Sequence, residues 1–411
     1  MDLYAPRDRE PGPLAGVRVL DLSQARSGPT CARQLSDLGA DVVQLRPPQR
    51  GELPGSDGFN LQRAKRSLLL DLKPPRGREV FFRLAAQTDV LVENFRPGVT
   101  RRLGIDYPAL ARANPRLIYA SISGFGQEGP WAGRRGLDPV AQAMGGLMSV
   151  TGPPGSGPWR AGIAISDSAS GTFLTQGVLA ALYARERTGR GQWVHTSLLE
   201  SMINLMDFQA VRWLVDGEVP GQAGNDHPTV FPMGTYRTRD GHLTVAAVMG
   251  FERFAAAIGA PELARDPRFA DPRDRARERE ALRAEVEARL AEHDTAEWVE
   301  RLGRADLPCG PVYSLDQVFA DPQVRHLRVT RRVPLPPGAD GAPPESGELE
   351  LLRHPVTLSE TPAGVRGGPP RPGAHTREVL REAGFTRAEV DALIAQGIAA
   401  EGAPARDFFE R

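Results

Sequence analysis

Residues 17–45 read VRVLDLSQARSGPTCARQLSDLGADVVQL. The stretch contains a short apolar run at 17–22, helical spacing of apolar residues at 30–38, and a second apolar run at 41–45. A strand, an amphipathic helix and another strand are the repeating unit of parallel α/β sheets. Residues 17–45 therefore predict the start of a parallel sheet.

The same alternation continues through the first half of the chain. Further strands are predicted at 67–72, 89–93, 117–122 and 192–197. Helices are predicted from apolar spacing at 78–86, 139–148, 171–187 and 198–215. Strands that recur at this spacing are typical of βαβ units. The fold class is therefore predicted as α/β, with a large, open, Rossmann-like parallel sheet.

Changes in composition predict the domain limits. The large α/β domain is expected to take residues 1–215, followed by a linker at 216–228 that is rich in Gly, Asn, Asp and Pro. A smaller α+β domain at 229–332 is expected to contain a hairpin turned at Arg239–Gly241 and helices near 252–257 and 275–302. A second linker is predicted at 333–347, and a C-terminal part, 348–411, with a helix over 376–398.

The charge balance limits the partners. The 51 basic and 51 acidic side chains of the 411 residues cancel at pH 7. This excludes the basic surface of a nucleic-acid binder or an anionic-membrane binder, so any anion must be held locally. Cys31 and Cys309 are too few for a disulfide framework, and no signal peptide or long apolar span is evident. We expect a cytoplasmic protein that binds small molecules, with no nucleic-acid or membrane partner.

Several cofactor motifs are absent. The turn after the first strand, residues 23–29, carries one glycine, Gly28, where a dinucleotide site has three. The seven histidines include no pair at metal-ligand spacing on a helix. We therefore expect no metal and no tightly bound cofactor.

Eight segments, in order along most of the chain, resemble the class III coenzyme A transferases (CaiB/BaiF type, formyl-CoA transferase-like). They are 22–39, 65–73, 92–98, 123–130, 167–171, 188–192, 307–312 and 321–324. The resemblance implies a large domain built from the N-terminal half and the C-terminal tail, and an interlocked homodimer. It also implies that acyl-CoA and a carboxylic acid are the substrates.

Asp167 matches the family's catalytic aspartate. The resemblance implies that its carboxylate attacks the acyl-CoA and that coenzyme A passes through covalent aspartyl intermediates. From the residues alone, Asp167 lies between an apolar run and a helical stretch, where an aspartate commonly serves as an N-cap. The two interpretations are compatible, because a helix N-terminus stabilises the attacking anion.

The resemblance also implies a set of coenzyme contacts. They are Leu70, Asp71, Leu72, Lys73, Asn94, Phe95, Arg96, Arg102, Leu103 and Arg135. Arg102 and Arg135 are the expected phosphate partners. Without the resemblance, these arginines would be interpreted as solvated surface and Phe95 as core.

Arg26 and Asp138 complete the predicted site. Asp138 matches an acidic residue that supports the nucleophile, although alone it would be interpreted as the N-cap of the helix at Pro139. Arg26 is expected to hold the second carboxylate of a dicarboxylyl donor such as succinyl-CoA, with a solvent-facing arginine as the alternative. Family members that transfer coenzyme A between formate and oxalate carry a glutamine in place of Arg26, a tyrosine in place of Leu137 and a tetraglycine loop, which 221–228 lacks. The resemblance therefore disfavours formate and oxalate as substrates.

Two alternative functions stay open. In the α-methylacyl-CoA racemases of the same fold, a Gly-His-Asp sequence supplies a proton carrier, whereas this chain has Gly136-Leu-Asp138. Leucine cannot transfer protons, which disfavours a racemase. A non-catalytic coenzyme A binder is the remaining alternative, and the presence of Asp167 argues against it.

Lysine is rare in this chain. Lys65 and Lys73 are the only lysines among 51 basic residues, and both lie in one nine-residue segment. Lys73 matches a coenzyme-contact position. We therefore hypothesise that the nucleotide requires a compact ammonium group rather than a guanidinium.

Overall fold

The computed structural model describes residues 11–50, 53, 55–335 and 347–402. They form two compact units. The larger unit takes the described residues up to Gly145, Gly162–Asp207 and those from Arg325 onwards. The smaller unit takes Gly146–Ala161 and Phe208–Val324.

The strands in the described part of the chain are numbered in chain order. They are β1 (Arg18–Asp21), β2 (Asp41–Arg46), β3 (Arg66–Leu70), β4 (Val90–Glu93), β5 (Ile118–Ser123), β6 (Trp193–Ser197), β7 (Met233–Arg237), β8 (His242–Ala246), β9 (Cys309–Pro311), β10 (Thr330–Pro334), β11 (Glu348–Leu352) and β12 (Ala399–Ala400).

The α-helices of the same residues are numbered likewise. They are α1 (Ser27–Asp37), α2 (Gly55–Gln62), α3 (Pro75–Ala85), α4 (Val99–Leu103), α5 (Tyr107–Ala113), α6 (Asp138–Met144), α7 (Leu147–Val150), α8 (Ile165–Thr188), α9 (Leu198–Leu205), α10 (Asp207–Val211), α11 (Phe251–Ala257), α12 (Pro272–Arg277), α13 (Arg279–Leu290), α14 (Thr295–Arg304), α15 (Leu315–Ala320), α16 (Pro322–Leu327), α17 (Thr376–Glu382) and α18 (Arg387–Ala395). A π-helix at Arg212–Asp216 comes directly after α10, and short 3-10 helices occur at Val248–Gly250, Pro261–Arg265 and Pro267–Phe269.

The larger unit contains a seven-stranded sheet in the order β12-β3-β2-β1-β4-β5-β6. All neighbours are parallel except β12, which pairs antiparallel with β3. Strands β4 and β5 are buried along their whole length, and most of their side chains are apolar. The predicted α/β class with a large parallel sheet is confirmed.

Two apolar cores cover the faces of this sheet. One contains Leu20, Leu91 and Tyr119 together with residues of α3, α17 and α18. The other contains Val19, Val92 and Ile118 together with residues of α1 and α8. Alternate residues of each strand thus enter opposite cores, as the two-residue period of a strand requires.

The smaller unit contains the antiparallel sheet β7-β8-β9. The predicted hairpin is confirmed, because Arg237 pairs with His242 and the N–H of Thr238 donates to the carbonyl of Gly241 across 3.0 Å. Phe231, Phe254 and Trp298 belong to its core. Strands and helices in this unit agree with the predicted α+β character.

The limits of the compact units differ from the predicted domain limits. Gly146–Ala161, predicted within the large domain, belongs to the smaller unit. The physical reason is a pair of hydrogen bonds. Gln222 Nε2 donates to the carbonyl oxygen of Thr151 at 2.6 Å, and the N–H of Gly224 donates to the carbonyl oxygen of Gly152 at 3.0 Å. Of the predicted linker 333–347, residues 336–346 lie outside the described residues, and β10 and β11 flank them as an antiparallel pair.

Three long predicted helices are wrong as single elements. The helix predicted over 198–215 is interrupted at Asp207, whose φ of 41° is left-handed, and continues as α10 and the π-helix. The prediction over 275–302 is divided into α12, α13 and α14. The tail breaks at Gly384, with a φ of 84°, into α17 and α18.

In the part of the chain that the structure describes, no helix is long and apolar enough to cross a membrane.

Candidate active site

The order of the parallel strands creates a crevice. Strand β1 lies between β2 and β4, so the connections after β1 and β4 leave in opposite directions at the carboxyl edge of the sheet. Open α/β sheets bind their ligands at such a switch point. The two loops that border it carry Gln24–Arg26 after β1 and Asn94–Arg96 after β4.

Asn94 fastens these two loops together. Its Oδ1 accepts the N–H of Gln24 at 2.8 Å, and its Nδ2 donates to the carbonyl of Gln24 at 2.8 Å and to Ser27 Oγ at 3.3 Å. The amide is thus occupied by protein groups on both sides. Asn94 shapes the predicted coenzyme site by joining its two loops.

Asp167 is the third residue of α8 and lies in its first turn. The N-cap position is Ala164, so the N-cap interpretation of Asp167 is wrong. The side chain is half-buried, and burial is the main cause that raises the pKa of Asp167 from 3.8 to about 6. The neighbouring charge of Asp138 raises this pKa further, and the positive charge of Arg26 opposes the rise.

Asp138 holds the first turn of the helix that carries Asp167. Its Oδ1 accepts the N–H of Ser166 at 2.9 Å and the hydroxyl of Ser166 at 2.8 Å. Its Oδ2 accepts Gln142 Nε2 at 2.7 Å. The predicted N-cap role in its own helix is wrong, because Leu137 occupies that position. Asp138 instead satisfies a free N–H at the start of α8, and it places a second carboxylate beside Asp167.

Arg26 precedes α1 and is half-buried. Its guanidinium forms an ion pair with Asp57 of α2. The start of α1 also packs on α8, since a Cβ added to Gly171 would lie 2.6 Å from the carbonyl oxygen of Ser27. This close packing keeps Arg26 near Asp167, in agreement with its effect on the pKa of that carboxyl.

The apolar residues predicted to contact coenzyme A belong to the core. Leu70 and Leu72 are buried, and Phe95 and Leu103 are partly buried against the same core. The interpretation of Phe95 as a core residue is thus supported, with part of the ring still accessible. For Leu70 and Leu72, any contact with a ligand has to come from main-chain atoms.

The predicted cations lie on loops and a helix that follow the carboxyl ends of the parallel strands. Lys73, Arg96, Arg102 and Arg135 are all exposed. Within residues 11–50, 53, 55–335 and 347–402, none of these four side chains is part of an ion pair. Asp71 Oδ1 accepts the N–H of Lys73 at 3.0 Å and thereby shapes the loop after β3.

Lys65 has a different environment from Lys73. It is fully buried, and its Nζ lies 2.9 Å from Asp21 Oδ2 and 3.4 Å from the carbonyl oxygen of Pro29. Desolvation lowers the pKa of Lys65, and Asp21 opposes that change. Lys65 therefore serves the fold, and the hypothesis of an ammonium contact with the nucleotide concerns Lys73 alone.

Comparison with known proteins identifies the family. The sequence profile described as "CoA-transferase family III" matches residues 14–376. The chain belongs to the CoA-transferase family III.

Named relatives agree with this assignment. The acetyl-CoA:oxalate CoA-transferase of Acetobacter aceti is 38% identical over 76% of this chain and 84% of its own length. The succinate–glutarate CoA-transferase of Agrobacterium fabrum (strain C58) is 33% identical over 91% of this chain and 96% of its own. The crystal structure of a CaiB/BaiF family protein from Brucella suis matches with a TM-score of 0.79 and 32% identity, covering 91% of this chain and all of that one. This protein is a CoA-transferase.

Sequence reasoning missed four polar residues that contact the predicted site residues. They are Asp57, Glu93, Gln142 and Ser166. Gln142 follows Asp138 by four residues, a helical spacing that signals a contact. Asp57 has no such local signal, because its partner Arg26 lies 31 residues away, and the same holds for Ser166, which lies 28 residues from Asp138. Glu93 contacts Phe95, two residues further on, but that spacing alone does not indicate a contact. In the described residues of the transferase, no group of three His, Cys, Asp or Glu side chains is placed to hold a metal ion.

Proposed function

We propose that this CoA-transferase moves coenzyme A from an acyl-CoA donor to a carboxylic acid through covalent intermediates on Asp167. The observation that carries the proposal is a half-buried carboxylate in the first turn of a 24-residue helix, beside a second carboxylate and an arginine. A pKa of about 6 keeps Asp167 ionised at neutral pH. Partial desolvation leaves that anion weakly hydrated, which favours nucleophilic attack.

The reaction follows in four balanced steps. The Asp167 carboxylate attacks the thioester carbonyl, and the C–S bond breaks to give a mixed anhydride and coenzyme A thiolate. The thiolate then attacks the aspartyl carbonyl, which releases the donor acid and forms an aspartyl-CoA thioester. The acceptor carboxylate displaces the thiolate from this thioester and forms a second anhydride. The thiolate finally attacks the acceptor's acyl carbon, which gives the new acyl-CoA and frees Asp167.

The coenzyme is proposed to lie along the carboxyl edge of the sheet. Lys73, Arg96, Arg102 and Arg135 supply cations without ion-pair partners in the described residues, which suits the 3′-phosphate and the pyrophosphate. The accessible part of Phe95 suits the adenine. Asp71, Leu70, Leu72 and Leu103 border the same edge.

We propose a dicarboxylyl-CoA, such as succinyl-CoA, as the donor. The reason is Arg26, whose guanidinium can bind the carboxylate that does not react. Its pair with Asp57 is part-exposed, and pairs of this kind contribute about 1 kcal/mol or less, so a substrate carboxylate can displace Asp57. Relatives named for succinate, glutarate and oxalate support the dicarboxylate class, and the last keeps oxalate among the acids to be assayed.

We also propose a homodimer in the cytoplasm. The π-helix exposes Trp213, Leu214 and Val215, the last two by 77% and 75%, and a second copy of the chain would cover such a surface. Cys31 and Cys309 are free thiols, which suits a reducing compartment. The mass in solution by light scattering tests the dimer, and a monomer would contradict it.

The covalent mechanism is tested by mass spectrometry. Wild-type protein incubated with succinyl-CoA should carry an adduct on the peptide that contains Asp167, and Asp167→Ala should carry none. Asp57→Asn, which changes a carboxylate outside the covalent steps, is the control and should still form the adduct. An unchanged turnover rate in Asp167→Ala would contradict the covalent mechanism.

The dicarboxylate proposal is tested separately at Arg26. Arg26→Ala should raise the KM for succinate about tenfold, because one charged hydrogen-bonded contact is lost, and leave the KM for acetate unchanged. Equal effects on the two acids would end the proposal for Arg26 without affecting the role of Asp167.

The racemase alternative makes a different prediction. Leu137 stands where a racemase has its proton carrier, and its side chain is 65% exposed. A branched acyl-CoA incubated with the enzyme in D2O should therefore gain no deuterium at the α-carbon. Rapid uptake would favour the racemase.

A further inference from the structure

Glu93 is a buried carboxylate at the point where β4 ends. The residue is only 4% exposed, and its Oε2 accepts the N–H of Phe95 at 2.8 Å. It therefore bonds to the loop that carries three of the proposed coenzyme contacts, Asn94–Arg96.

A polar side chain lies next to this carboxylate in the sheet. Ser121 pairs with Glu93 across the neighbouring strands, and its hydroxyl opposes the rise in the pKa of the carboxyl. Trp193 Nε1 donates to Ser121 Oγ at 2.9 Å. Hydrogen bonds thus hold Ser121 to β6 and Glu93 to the loop after β4.

This arrangement is costly for the fold. Desolvation raises the pKa of Glu93 to about 7, which shows that the buried charge is disfavoured. A neutral side chain would avoid that cost. Residues that lower stability in this way are commonly retained where they serve a site.

We propose that Glu93 is a positioning residue for coenzyme binding, which fixes the main chain at Phe95 and so directs the side chains of Phe95 and Arg96. The inference rests on the proposed coenzyme site. Asn94 fastens the start of the loop to Gln24, and Glu93 fastens the next N–H, so two adjacent residues are held by different partners. Glu93 acts through the main chain of Phe95 and has no part in the covalent steps proposed for Asp167.

The test compares three variants with wild type in transfer from succinyl-CoA and in calorimetric binding of free coenzyme A. In Glu93→Gln, the amide oxygen can accept the Phe95 N–H as the carboxylate does, so the KM for succinyl-CoA should stay within about twofold. Glu93→Leu leaves the Phe95 N–H without its partner. Its KM for succinyl-CoA and its Kd for coenzyme A should rise about tenfold, with kcat changed less than about threefold.

Thr88→Val is the matched control. Thr88 is also buried next to β4, but at the opposite end, and its hydroxyl donates to the carbonyl of Leu84 at 2.9 Å. This variant should lose stability without any change in KM. If Glu93→Leu does not fold, Glu93→Met replaces it, because its flexible unbranched side chain also leaves the Phe95 N–H without the carboxylate, and its KM should rise about tenfold.

The outcomes separate the two proposals. Loss of affinity in Glu93→Leu with rescue in Glu93→Gln supports the positioning role. Equal KM values in Glu93→Leu and Thr88→Val, failure of glutamine to rescue, or an unchanged KM in Glu93→Met when that variant replaces Glu93→Leu would overturn it. If wild type itself neither binds coenzyme A nor transfers it, the proposed function fails, and the inference fails with it.

Discussion

Asp21 and Asp167 are carboxylates near the same edge of the sheet, yet their surroundings are opposite. Asp21 is fully buried, and the ammonium group of Lys65 lies 2.9 Å from it. Asp167 is half-buried, and the nearest charge that raises its pKa is another carboxylate, Asp138. A buried acid with a cation stabilises the fold only while both partners are present. An acid held beside a like charge is kept at the expense of stability, which is typical of a site that does chemistry.

The largest effect is expected where the Asp21–Lys65 pair is broken. Lys65→Met leaves a buried carboxylate without its cation, which should lower the free energy of unfolding by about 3–5 kcal/mol. Lys73→Met, at an exposed lysine in the same segment, should change it by less than about 0.5 kcal/mol. Urea unfolding measures both, and equal losses would mean that the buried pair is not special.

Removing the charge of Asp167 should, by contrast, raise the free energy of unfolding. Asp167→Asn removes a charge whose pKa is raised from 3.8 to about 6 in the folded state, so wild type loses stability as pH rises through this window. The variant should therefore gain about 1–3 kcal/mol at pH 8, and the gain should disappear below pH 4. Asp21→Asn is the control and should lose stability. A loss of stability in Asp167→Asn at pH 8 would contradict the strained-acid interpretation.

The pH dependence of turnover sharpens the comparison. In the proposed mechanism the ionised form of Asp167 attacks, so kcat/KM should fall about tenfold per pH unit below a pKa of about 6. Asp138→Asn removes the like charge, so the acid limb of the pH profile, where kcat/KM falls, should move to lower pH by up to about one unit. An acid limb that stays in place would show that burial alone sets the pKa of Asp167.

The smallest effect is expected at Lys73. Lys73→Arg keeps the charge and should weaken coenzyme A binding about twofold to threefold if a compact ammonium contacts the nucleotide. Calorimetric titration of coenzyme A measures the change. Unaltered affinity would mean that the placement of Lys73 near Lys65 is an accident of composition.

The sequence predicted the sheet well because its signals are local. Strands β1 and β2 were predicted within two residues at each end, since apolar runs flanked by helical spacing need no information from elsewhere. The two-residue strand β12 and the place of Gly146–Ala161 in the smaller unit have no local signal. Both depend on contacts with residues far away in the chain, such as Ala399 with Leu70 and Thr151 with Gln222.

The candidate site was predicted only in part for the same reason. Resemblance located Asp167 and Asp138, but it gave neither the turn in which each lies nor their partners. Asp138 satisfies an N–H of Ser166, which lies 28 residues away, and Asn94 joins a loop 70 residues away. Contacts of this length are set by the fold and cannot be read from a spacing.

Gly171 can set the distance between two residues of the candidate site without contacting a ligand. A single methyl group at this position would meet the main chain of Ser27 and the side chain of Thr30, and the two helices would have to separate. Arg26 would then move away from Asp167. The spacing between the proposed selecting cation and the proposed nucleophile thus depends on an absent side chain, so a change at this helix contact would alter the site without replacing either residue.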